Sequence, residues 1–226
     1  MDSFVILKYP KKFYNFVINL IYPRYCKSCS ILLKQDNIFC NTCFLKIQPV
    51  APIDLQLNKS KKTIVFAACN YKDPVKKLIT EKLYAKNTLA CKQLANIIYQ
   101  NTIIKNLEID YLIPVPLHWT RFAKRGYNQS YEIAKHLSVL LNVPVLDILK
   151  RNKKTAYQSS LKLEDRVLNV KDIFSIKNKN INLKNKNIYI VDDLFTTGAT
   201  IKNCAKVLYQ LKPESVNAIV ACRVIQ

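Results

Sequence analysis

The hydrophobic positions of this chain change their period near residue 63. Before that point Phe13, Phe16, Val17, Leu20 and Ile21 recur at helical spacing until Pro23 interrupts them, which predicts one short amphipathic helix. The stretch 48–62, QPVAPIDLQLNKSKK, carries prolines and polar residues in no clear period and reads as a linker. Beyond it, short apolar runs alternate with longer runs of helical period. TIVFAACNY, YLIPVPL, VLDILK, IFSI, NIYIV and SVNAIVACRVI read as strands. PVKKLITEKLY, TLACKQLANIIYQNTI, QSYEIAKHLSVLLN, LEDRVLNV and ATIKNCAKVLYQLK read as helices. YLIPVPL must end early, because Pro114 and Pro116 cannot serve a central ladder.

Strands alternating with helices imply an α/β fold, a parallel sheet with helices on both faces. The expected organisation has three parts: an amphipathic helix plus a small cysteine module over 1–47, a linker over 48–62 and the α/β domain over 63–226. Half of the 226 residues are hydrophobic, enough for a proper core. No run of eighteen apolar residues is present, so a spanning helix is not expected. The opening segment, broken by Pro10, Lys11 and Lys12, lacks the pattern of a secretory signal, and the expected location is the cytoplasm.

In that compartment eight cysteines point to metal before disulfides. Cys26, Cys29, Cys40 and Cys43 fit C-x2-C-x10-C-x2-C. A two-residue gap lets both thiolates of a pair turn toward one point, and two such pairs complete a tetrahedral sulfur site suited to structural zinc. Four cysteines alone also suit an iron–sulfur cluster. Cys69, Cys91, Cys204 and Cys222 fall in apolar strand or helix patterns and read as core residues.

The net charge of +21 and pI of 9.7 suit a phosphate-rich partner: nucleic acid, an anionic membrane face or a polyphosphorylated ligand. A compositional excess of lysine gives the same number without selecting any partner. Glycine is scarce, with two residues against a usual share of roughly 7%. A glycine retained in such a chain meets a backbone need.

One of them, Gly198, lies in VDDLFTTGAT. The NIYIV strand is expected to end at Val191, leaving Asp192 and Asp193 at the carboxyl end of the sheet, where open α/β folds bind ligands. A helix is expected from Ala199, so backbone N–H groups at its start can cradle a phosphate. Thr196, Thr197 and Thr200 add hydroxyls, and the two carboxylates suit the hydroxyls of a sugar. A sugar phosphate therefore fits better than a bare anion. The other glycine, Gly126, lies in PVPLHWTRFAKRGYNQS, read as a loop between a strand and a helix. There Arg121, Lys124 and Arg125 either bind pyrophosphate at the same sheet edge or form a solvated basic loop. Trp119 and Tyr127 beside them offer faces for base stacking or are ordinary packing residues. His118 and His136 make no H-E-x-x-H pair, and neither a Walker loop nor a G-x-S-x-G elbow is present.

The strand, acidic pair and Thr-Thr-Gly-x-Thr loop of NIYIVDDLFTTGAT resemble the phosphoribosyl pyrophosphate (PRPP) motif of type I phosphoribosyltransferases. With the cysteine module, PVPLHWTRFAKRGYNQ, and Arg151, Thr155, Gln158, Leu161, Arg166, Asn169 and Phe174 of the stretch 151–174, nearly the whole chain is similar to the ComF family of ComFC and GntX-like proteins. The resemblance implies a type I phosphoribosyltransferase fold. It implies that Asp192 and Asp193 hold the ribose hydroxyls and that Thr196, Thr197, Gly198, Ala199 and Thr200 wrap the 5′-phosphate of PRPP. It also implies a role in natural competence, with single-stranded DNA as partner at the inner face of the membrane among DNA-uptake proteins. Two further readings remain open: a transferase moving phosphoribosyl from PRPP and Mg²⁺ to an amine or nucleobase, and a non-catalytic PRPP sensor. No residue is singled out as catalytic.

Overall fold

The computed structural model describes residues 23–33, 37–82, 88–152, 173–178 and 181–224. The helix expected over 13–21, the helix expected at LEDRVLNV, and Thr155, Gln158, Leu161, Arg166 and Asn169 lie outside the described residues. The described strands are β1 (Ile53–Gln56), β2 (Lys62–Asn70), β3 (Tyr111–Pro114), β4 (Leu149–Arg151), β5 (Phe174–Ile176), β6 (Asn187–Phe195) and β7 (Ser215–Arg223). The described α-helices of four residues or more are α1 (Asn41–Phe44), α2 (Thr88–Asn101), α3 (Trp119–Arg125), α4 (Gln129–Leu141) and α5 (Ala199–Leu208).

Five strands form one sheet in the order β1–β2–β7–β6–β3. β2, β7, β6 and β3 run parallel, and β1 lies antiparallel on β2. β3 takes an edge of this sheet, as its Pro114 requires. The central strands are apolar at consecutive positions because both of their faces are covered. On one face Phe66, Tyr189, Val191 and Ile219 join Leu94 and Ile98 of α2 and Ile133 and Leu137 of α4. On the other, Val65, Ile188, Ile190 and Val220 join Ile201, Cys204 and Leu208 of α5. The four unpaired-motif cysteines, Cys69, Cys91, Cys204 and Cys222, are all buried, and burial pushes the Cys69 and Cys91 thiols up to about 12.

Several elements depart from the sequence pattern. The stretch expected to be linker carries β1, whose Leu55 is buried in the second core layer. PVKKLITEKLY is not one helix as far as it is described, but a turn, Val75–Lys77, passing into the wider π turn Leu78–Lys82. VLDILK yields only the short β4, which pairs with β5 in a separate antiparallel ribbon, while Val145 bridges to Leu112 of β3. The cysteine module buries Ile38, Phe39 and Ile47 in the same cluster as α2. Two side-chain hydrogen bonds secure that contact, Gln93 Nε2 to Asn37 Oδ1 at 3.3 Å and Asn101 Nδ2 to the Ile47 carbonyl at 3.2 Å.

Candidate functional site

Asp192 and Asp193 lie inside β6 rather than beyond it, which corrects the expected strand end at Val191. The two neighbours of β6 stop at different places. β3 pairs only as far as Val191, opposite Pro114, whereas β7 continues past Asp192 opposite Val220 to Phe195 opposite Arg223. The acidic pair thus sits on a strand held from one side and opened on the other. In that opening Ser130, at the start of α4, donates its hydroxyl to Asp192 Oδ1 at 2.8 Å. The Asp193 backbone N–H donates to the same oxygen at 3.0 Å. Burial raises the Asp192 carboxyl and the Asp193 charge raises it further; the two donors pull it back, and the balance holds it at about 8.

Ser130 is positioned by a helix cap. Asn128 accepts from the Ser130 N–H at 3.2 Å and donates its amide to the Val115 carbonyl at 3.0 Å. The segment after β3 is thereby fastened to the acidic pair. Neither Ser130 nor Asn128 stood out in the sequence as a site residue, although Asn-Gln-Ser before a helical run is a cap signal.

The loop after the acids turns into α5 at Gly198, which has φ +75° and is buried. Thr196, Thr197 and Ala199 are exposed and Thr200 is half-buried. Gly198, as the residue before the helix, has no side chain to cap the first-turn N–H groups of α5. The loop therefore leaves threonine hydroxyls exposed beside the start of α5, where Thr197 Oγ1 accepts from the Ala199 N–H at 3.4 Å.

The basic stretch expected to be a loop is a helix. α3 runs from Trp119 to Arg125. His118 caps its start, accepting from the Thr120 N–H at 3.3 Å, and Gly126 ends it at φ 80°. The backbones of Arg121, Lys124 and Arg125 all lie in this helix, and their side chains lie outside the described atoms. Tyr127 packs against the core, whereas Trp119 is exposed. Between α3, the start of α4 and the β4–β5 ribbon is a cavity of about 600 Å³.

The four motif cysteines converge: their Sγ atoms all lie within 4.8 Å of one another, and Cys29 and Cys40 approach to 3.6 Å. A tetrahedral zinc with sulfur at 2.3 Å needs S–S edges of about 3.8 Å, so the four sulfurs are near enough to hold such an ion. Burial raises the Cys26 thiol, but the backbone N–H groups of Cys40, Cys29 and Ser28 outweigh it and hold the group at about 6. The Ile31 backbone lowers the exposed Cys29 thiol, yet the neighbouring sulfurs prevail and push it up to about 12. Sharing one site this way is what a thiolate cluster does before a cation arrives.

A parallel sheet covered by helices, an acidic pair at its carboxyl end and a Gly-started helix behind a threonine loop define a phosphoribosyltransferase-type domain, here carrying a four-cysteine module. The phosphoribosyl transferase domain family matches residues 82–226. The chain is 30% identical over 199 residues to competence protein F of Haemophilus influenzae, covering 85% of this chain and 81% of that one. It is 25% identical over 214 residues to the DNA utilization protein YhgH of Escherichia coli, covering 88% and 84%. It is 34% identical over 113 residues to competence protein ComFC of Bacillus subtilis, covering 50% and 44%. The chain belongs to the ComF family of phosphoribosyltransferase-domain proteins.

Proposed function

We propose that this protein binds PRPP, or a closely related ribose phosphate, with Mg²⁺, and that it binds single-stranded DNA during DNA uptake. The observation that carries the ligand is the opening of β6: two carboxylates stand where β3 has ended, a few residues before a glycine-started helix. On this reading Asp192 and Asp193 accept hydrogen bonds from the ribose hydroxyls. Thr196, Thr197, Gly198, Ala199 and Thr200 enclose the 5′-phosphate with hydroxyls and backbone N–H groups. Arg121, Lys124 and Arg125 would bind the pyrophosphate, a role supported by the place of their helix just before α4, whose Ser130 bonds Asp192. Mg²⁺ would displace the proton that Asp192 carries up to about pH 8, giving hard oxygen donors of the kind the ion accepts, and would supply charge neutralisation for the pyrophosphate.

The DNA role is supported by the names of the relatives, competence protein F and DNA utilization protein, and by the net charge of +21. The protein then works in the cytoplasm, at the inner face of the membrane beside DNA-uptake proteins; no described helix is long and apolar enough to cross a membrane. Zinc is the metal proposed for Cys26, Cys29, Cys40 and Cys43, with a structural role, because the cluster offers four ligands and no open position.

A second reading is transfer of phosphoribosyl to an amine or a nucleobase nitrogen, favoured by the open cavity at the same end of the sheet. The protein would contribute position and charge: the carboxylates orient the ribose and the cationic helix receives the leaving pyrophosphate as the C1–oxygen bond breaks. Phosphorus NMR of the protein with PRPP and Mg²⁺, with acceptors added in turn, tests both readings. Shifted PRPP signals that vanish in an Asp192→Asn/Asp193→Asn variant establish the site. Pyrophosphate released only with an acceptor establishes transfer, and unshifted signals in the unmodified protein sink the assignment.

A further inference from the structure

Four large aromatic side chains are exposed among the described residues: Tyr25, Trp119, Phe122 and Tyr131. Tyr25 belongs to the cysteine module; the other three line one cavity of about 600 Å³, with exposures of 72%, 50% and 38%. Trp119 and Phe122 are three residues apart on α3 and so share a face of it. Core packing does not account for aromatic surface gathered at one concave place.

The β4–β5 ribbon adds charged groups to the lining beside Leu149. Lys150, Arg151 and Lys177 come from the β4–β5 ribbon and its end, with Lys177 paired to Asp147 at 2.6 Å. Glu132 completes the lining from α4. Aromatic faces for stacking, cations for a phosphate backbone and a carboxylate able to accept from a base N–H, such as N3–H of thymine, are the groups that recognise an unpaired base. The volume lies within the range of small-ligand pockets, roughly 300–1,000 Å³.

We propose that this cavity takes a base of single-stranded DNA, stacked on Trp119 and Tyr131, with the adjoining backbone along Lys150 and Arg151. The inference rests on the DNA-binding reading above and adds where and how the strand is held. Its position follows from the chain: the cavity shares the Gly126–Glu132 segment with Ser130, which bonds Asp192. A base in the cavity and a ribose phosphate at the acidic pair would thus be sensed through one segment.

Trp119 is the only tryptophan of the chain, so its fluorescence reports on this cavity alone. Full-length protein is titrated with end-labelled oligothymidylate, with an abasic strand of equal length and with thymidine monophosphate, following tryptophan emission and label anisotropy together. Quenching by oligothymidylate with little response to the abasic strand is expected. Tyr131→Ala should weaken oligothymidylate binding about tenfold and leave the abasic strand unaffected; Val139→Ala, exposed two turns further along α4 and outside the cavity lining, should change neither. Binding by anisotropy with unchanged emission would put the strand elsewhere, overturning the cavity and sparing the DNA reading. Equal quenching by the abasic strand, or by the mononucleotide at the same concentration, would overturn the assignment to a base of a strand. Absence of an anisotropy change with either strand would defeat the DNA reading and this inference with it.

Discussion

Leu55 lies directly under Gly198: a Cβ built on the glycine would fall 2.7 Å from Leu55 Cδ1 and 3.0 Å from Phe195 Cζ. The residue before α5 is therefore glycine for two reasons, its φ of +75° and the side chains packed against it. Gly198→Ala should destabilise the protein by about 1–3 kcal/mol and disturb the Thr196–Thr200 loop. Leu55→Ala/Gly198→Ala should cost less than the sum of the single changes, because removing the leucine relieves the contact but not the backbone strain. Denaturant midpoints of the four proteins check this, and strict additivity would show that the two residues do not compete for space.

That relationship was not legible in the sequence. IDLQ sits among prolines and lysines and is too short to show a period, and its partner in β2 lies across a turn whose pairing only the fold reveals. The α/β alternation, the cap of α5 and the cysteine cluster were legible, because each rests on local spacing. The end of β6 was not: Asp192 and Asp193 look like loop residues, and they stay in the strand because β7 continues to pair where β3 has stopped. Ser130 was hidden for a similar reason, since its contact with Asp192 joins positions 62 residues apart. The helix in the basic stretch was readable in principle from His118 and Gly126 at its ends, but a seven-residue run with only Trp119 and Phe122 at helical spacing is too short to show a period.

The raised carboxyl of Asp192 makes a pH-dependent contribution to stability. Its ordinary value is 3.8 and its folded value about 8. Below pH 4 both states are protonated and nothing is lost. Between the two values the unfolded chain releases the proton while the folded one keeps it, so stability falls as pH rises, and it levels off above about 8. Asp192→Asn should abolish this component, so its melting temperature relative to the unmodified protein should climb from pH 5 to pH 8 and then stay constant. Ser130→Ala, which removes a donor that lowers the group, should extend the decline to higher pH. Thermal melts across this range decide it, and parallel curves for the unmodified protein and Asp192→Asn would refute the buried-acid account.

Loss of the metal should reach beyond the cysteine module. Cys26, Ile38, Phe39, Cys43 and Ile47 share a buried cluster with α2. Cys40→Ser, or exhaustive chelation, should therefore lower the melting temperature of the whole protein by on the order of 10 °C, not unfold a separate appendage. Elemental analysis of the purified protein should give one zinc per chain. A melting profile in which the main transition is unmoved after metal removal would mean that the module contributes nothing to the α/β core.

The net charge of +21 predicts a definite salt response if DNA is a partner. For a single strand, log K falls with log salt at about 0.7 per neutralised phosphate, so about three contacts give roughly a twentyfold loss between 50 and 200 mM salt. Lys150→Ala and Arg151→Ala should each lower the slope by about 0.7, whereas Tyr131→Ala should lower affinity at every salt concentration and leave the slope unchanged. This separation matters because a lysine-rich composition binds any polyanion weakly. Binding of heparin and duplex DNA would then also weaken with salt, the duplex at about 0.9 per neutralised phosphate, but without the dependence on Tyr131. A Tyr131 effect that is the same for heparin as for single-stranded DNA would reduce the interaction to general charge, and the cavity would lose its part in selecting an unpaired base.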